Sequence, residues 1–67
     1  MVKKYIIKGK TYTVLEEIQP PENFISYMAK VKNSKKEEFT LLKSYSKYSL
    51  YDSKKNKILT TYSIREV

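Results

Sequence analysis

"FISYMAKVKNSKKEEFTLLK", residues 24–43, can be read as a hairpin or as the entry to a helix, and the choice decides the fold. Ile25, Tyr27, Ala29 and Val31 alternate with Ser26, Met28, Lys30 and Lys32, the period of a half-buried strand. With "NSKKE" (33–37) as a loop, Lys32 faces Glu38, Val31 faces Phe39 and Ala29 faces Leu41. That single register sets apolar against apolar and cation against anion. The competing reading starts from Ser34 and Glu37, spaced as a helix capping box. Leu41, Leu42, Tyr45 and Tyr48 would then form one helical stripe in a helix near 34–48. "TLLKSYSKYSLY" (40–51) is rich in Thr, Ser and Tyr, which suit a pleated surface better than a helix. Strands are therefore expected, with α+β and one helix at 34–48 as the alternative.

The same device recurs at "DSKKN" (52–56), where Leu50 would oppose Ile58 and Tyr48 would oppose Thr60, the strand running on through Tyr62 and Ile64. Asn or Asp followed by Ser favours a turn, because the short side chain bonds nearby backbone amides. Upstream, "KKYIIK" and "TYTVLEEI" flank Gly9-Lys10, which reads as a two-residue hairpin turn. Lys8 would face Thr11, Ile7 would face Tyr12 and Tyr5 would face Val14, all four apolar residues on one side. "QPPEN" (19–23) ends the second strand, since two prolines remove two donors. The expected fold is mainly β: one small domain, 1–67, an antiparallel meander of five to six strands curled into an SH3-like or OB-like barrel or sheet. "YTVLEEI" followed by "YMAKVKNSKKEEFTLLK" resembles in rhythm the meander that opens a protein kinase small lobe. The resemblance implies a meander alone, because "QPPEN" stands where such lobes carry a glycine-rich loop.

A 67-residue chain buries only about 60% of the surface it exposes when unfolded. With no Cys and no His, neither disulfides nor most metal sites can reinforce it, and no cofactor or metal is expected. Seven Tyr and two Phe offer an aromatic core instead. "MVKKYIIKGK" lacks the apolar run of a signal peptide, and nothing approaches a membrane span, so a cytoplasmic location is expected. Catalysis is not expected: there is no His or Cys, the carboxylates sit at strand ends and turns, and Glu16 and Glu17 point to opposite faces of a strand.

Fourteen basic residues against seven acidic give a net charge of +7, which suits an anionic partner. Thirteen of the fourteen are Lys, as AT-rich coding also favours. In a meander the three hairpin tips share one end, which would collect Lys8, Lys10, Lys32, Lys35, Lys36, Lys54, Lys55 and Lys57 against Glu37, Glu38 and Asp52. Glu16, Glu17 and Glu22 would lie at the other end. "SYSKYSLY" (44–51) adds Tyr45 and Tyr51 as platforms on which unpaired bases could stack.

The function expected is a small non-enzymatic module that contacts DNA or RNA with little sequence specificity, since point-charge lysines hold phosphates without reading bases. The alternative is a small phage or mobile-element protein that binds and inhibits or adapts a host protein through a protein–protein interface, its lysines docked on an acidic or nucleic-acid-binding surface of that protein. Membrane binding is the least favoured partner. Edge pairing of "ILTTYSIREV" (58–67) would allow a homo-oligomer.

Overall fold

The computed structural model describes residues 2–67. Among these residues seven strands form one antiparallel sheet: β1 (Lys4–Ile7), β2 (Lys10–Ile18), β3 (Ile25–Lys32), β4 (Glu38–Ser44), β5 (Lys47–Asp52), β6 (Lys57–Thr61) and β7 (Arg65–Glu66). Their order is β6-β5-β4-β3-β2-β1-β7, a meander whose last, two-residue strand returns to the outer edge of β1. Residues 62–64 alone connect β6 at one edge to β7 at the other. Three residues span only about 10 Å, so the sheet must curl until its edges nearly meet. The curl stops at a half-barrel. The radius of gyration, 10.9 Å, is that of a compact chain of this length, but the surface of 5044 Å² exceeds the roughly 4,500 Å² of a closed globule of this mass.

No helix forms among the described residues, and 34–48 becomes a loop, β4, a turn and the start of β5. The strand reading prevails because alternate residues of β4 meet alternate residues of β3. Leu41 lies opposite Ala29, Phe39 opposite Val31 and Glu38 opposite Lys32, as the sequence predicts. Leu41 is also opposite Leu50 on its other side. A helical stripe would turn half of these side chains away from both neighbours.

The inner face carries the core. Tyr5, Ile7, Tyr12, Ala29, Val31, Leu41 and Leu50 are buried, and Val14, Tyr27, Phe39, Tyr48, Leu59 and Ile64 pack around them. Tyr12 meets Phe39 edge-on, with centroids 5.7 Å apart and planes at 82°. Ile7, Val31, Leu41 and Leu50 are fully enclosed, each burial contributing about 1.5–3 kcal/mol.

Two registers differ from expectation. The first hairpin turns on Lys8-Gly9, with Ile7 opposite Lys10 and Tyr5 opposite Tyr12. Both central residues have positive φ, 53° at Lys8 and 79° at Gly9, the I′ pattern that matches strand twist. No atom comes within 4 Å of a Cβ built on Gly9, so glycine is there for its backbone angle and not for space. Every pairing changes, yet the sides do not, because the partner of each residue moves by two. At the third hairpin Tyr51 faces Lys57, after which a bulge shifts the ladder and sets Leu59, not Ile58, opposite Leu50. Ile58 is left 50% exposed. β6 then ends at Thr61 instead of running through Tyr62, and Ile64 reaches the core from the connection to β7.

Candidate functional site

The two pentapeptide loops are built alike. Asn33 Oδ1 accepts from the amides of Lys35 (2.9 Å) and Glu37 (3.0 Å), and Asp52 Oδ1 accepts from those of Lys54 (2.9 Å) and Asn56 (2.8 Å). In each, the fourth residue donates its amide to the carbonyl of the first at 3.0 Å. The amide of the first donates to the carbonyl of the fifth, also at 3.0 Å. This closure forces the fourth residue into the left-handed region: φ is 65° at Lys36 and 68° at Lys55. Glycine or asparagine is the easy choice there, and a lysine costs about 1–2 kcal/mol. With Lys8, all three tips hold a lysine in that conformation, and Tyr45 is the only other non-glycine residue so placed among the described residues.

The three tips lie at one end of the meander. A hollow of about 410 Å³ is lined by Gly9, Lys10 and Thr11 from the first tip and Asn33, Ser34, Lys35 and Glu37 from the second. Another, of about 490 Å³, joins Glu37, Glu38 and Phe39 to Asp52, Ser53, Lys54 and Asn56 of the third. Lys8, Lys10, Lys35, Lys36, Lys54, Lys55 and Lys57 are exposed there, and Lys32 is half-buried at the end of β3. Eight lysines stand against Glu37, Glu38 and Asp52, a surplus of five. None is neutralised at close range: among the described residues the only ion pair is Lys3–Glu17, at the opposite end. Lys32 and Glu38 oppose each other in register, as expected, without forming such a pair.

Tyr45 and Tyr51 are not brought together. Tyr45 occupies the β4–β5 turn, 80% exposed, at the end away from the tips. The sequence "SYSKYSLY" marks that turn only with its serines, having no Gly, Pro, Asn or Asp. Tyr51 stands on the outer face between Thr40 and Lys57, and Ser49, on that same face between Leu42 and Thr60, is buried. Sequence reasoning missed Met28 and Leu42, which oppose each other on that outer face near Tyr51. Their apolar character on the polar side of the alternation was the available signal.

The far end is held by a polar chain. The Tyr5 hydroxyl donates to that of Tyr27 (3.5 Å), Tyr27 donates to Glu17 Oε2 (2.8 Å), and Lys3 Nζ donates to the same oxygen (3.1 Å). The bonds from Tyr27 and then Lys3 hold the Glu17 carboxyl below the usual carboxylate range. Burial, with the bond to Glu17, raises the Tyr27 hydroxyl above the usual tyrosine range. A lowered carboxyl contributes stability that is full above its unfolded value and lost as the pH falls through its folded one. Thermal melts should therefore show stability declining below about pH 4, and Glu17→Gln should flatten that acid limb. An unchanged acid limb in the variant would remove Glu17 from the account. The raised tyrosine acts at the other extreme, destabilising the fold as the pH climbs beyond about 10.

Among the described residues no cluster of carboxylates could hold a metal ion, and no helix is long and apolar enough to cross a membrane. Comparison of the chain with protein-family models, curated proteins and solved structures gives no match.

Proposed function

We propose that the chain is a non-enzymatic nucleic-acid-binding module that holds phosphates on the lysines of its three tips, with little sequence specificity. The observation that carries this reading is the left-handed lysine repeated at Lys8, Lys36 and Lys55. Local physics favours another residue at each position, and departures from local preference concentrate where a chain has a function to serve. A cation raised on a tight turn, clear of any carboxylate within ion-pair reach, is well presented to a phosphate. One Arg in the whole chain leaves few means of reading guanine edges, so contacts follow the backbone.

The test is a titration of labelled DNA and RNA at several salt concentrations. With four to eight phosphates neutralised, log K against log salt should fall with a slope of roughly −3 to −7, and scrambled sequences should bind alike. A flat salt response, or no binding at low salt, would overturn the reading.

A second reading, docking on a protein, is favoured by one specific observation. The end away from the tips exposes Phe24 (50%), Tyr45 (80%) and Tyr62 (70%), one from each connection. Aromatic side chains of this kind are what protein interfaces bury. Co-purification that yields a stoichiometric protein after nuclease treatment would favour it over the first.

A further inference from the structure

The outer face of a single-layer sheet ought to be polar, yet beside the third tip it is not. Met28 and Leu42 oppose each other there, and both are half-buried. Together with Thr40, Tyr51, Asp52 and Lys55 they line a hollow of about 320 Å³. Across the neighbouring strands runs a row of paired positions, Lys30–Thr40–Tyr51–Lys57, with a cation at each end and an aromatic ring inside it. We propose that this hollow is a base-binding subsite, so that the ligand preferred by the module is an unpaired nucleic-acid strand. The inference rests on the phosphate-binding reading of the tips and adds the class of nucleic acid.

The chemistry of the lining separates the two parts of a nucleotide. Met28, Leu42 and the Tyr51 ring offer apolar and π surface, which suits the flat face of a base. In a duplex those faces are stacked inside and cannot reach a shallow surface hollow. Asp52 in the lining offsets Lys55 beside it, while Lys30 and Lys57 at the ends of the row attract a phosphate to the rim. Asp52 Oδ1 is already committed to two loop amides, which leaves the other carboxylate oxygen to accept from an exocyclic base amine. A strand laid along the tips can thus turn one base inward while its backbone stays on lysines.

The test compares a twelve-nucleotide single strand with a twelve-base-pair duplex of the same sequence, by fluorescence anisotropy at one fixed salt concentration. The single strand should bind at least about tenfold more tightly. Tyr51→Ala should lower single-strand affinity by about tenfold, leaving duplex affinity and both salt slopes unchanged, and Tyr51→Phe should bind as the parent does. Tyr51→Leu keeps the bulk without the π-face and should repeat the loss, which separates stacking from any unfolding of the alanine variant. Equal affinity for the two forms, or full single-strand binding by both Tyr51→Ala and Tyr51→Leu, overturns the subsite while salt-dependent binding leaves the tips intact. Absence of salt-dependent binding to either form removes both.

Discussion

Replacing Lys8 by Asn and Lys36 and Lys55 by Gly should make the protein more stable and a poorer binder at once. Each of the three sits in the left-handed region, where most side chains are strained, Gly has no Cβ to clash, and Asn is tolerated because its short side chain bonds the local backbone. After allowing for the greater freedom glycine brings to the unfolded chain, each exchange should gain about 0.5–1 kcal/mol. For a domain of this size the three together should raise the melting temperature on the order of 10 °C. The same exchanges remove three of the eight tip cations, so the salt slope should become shallower by up to about 3, with affinity reduced for every sequence alike. Opposite signs in the two measurements distinguish a functional lysine from one that merely decorates a turn. A stabilised variant that binds as well as the parent would show that these cations touch no phosphate. A destabilised variant would contradict the loop geometry.

Leu50→Ala should leave the chain largely unfolded at 37 °C. Leu50 is 0% exposed and lies between Leu41 and Leu59 on the inner face. Truncating such a leucine costs about 2–5 kcal/mol, and a core this small seldom supplies more than about 3–5 kcal/mol in all. The control is Leu42→Ala, on the outer face one position from Leu41 and half-buried, where the loss should stay near 1 kcal/mol. Urea denaturation of both variants reads the difference directly. If Leu42→Ala were the more damaging, the assignment of inner and outer faces would be inverted, and the base subsite would disappear with it.

How far the fold was legible depended on whether neighbouring signals agreed. At β3–β4 the apolar alternation and the Lys32/Glu38 pair point to one register, and that register forms. At β1–β2 the turn is centred one residue earlier than the glycine suggested, because Lys8 itself accepts positive φ. The apolar residues nonetheless keep their side. At β5–β6 nothing in "KILTT" announces a bulge, since Ile58 and Leu59 are equally fit to be buried and packing chooses between them. The clustering of tip lysines could be read in advance, because it follows from connectivity alone. Their strained angles could not, because the sequence shows two identical Ser-Lys-Lys runs without saying which lysine closes the loop. The outer hollow was legible only in part: the register read from the sequence already sets Met28 opposite Leu42, but the pairing of β4 with β5 that brings Tyr51 and Asp52 beside them was not read from the sequence.

Each strand from β2 to β6 lies beside the one that precedes it in the chain, and β7 alone reaches back to the beginning. The loops to be closed are short, so the entropy lost before a contact is rewarded is small at every step but one. The polypeptide can zip up in the order in which a ribosome delivers it, each cationic tip complete as soon as its second strand emerges. The free border of β1 must wait for Arg65 and Glu66, the last pairing to be supplied.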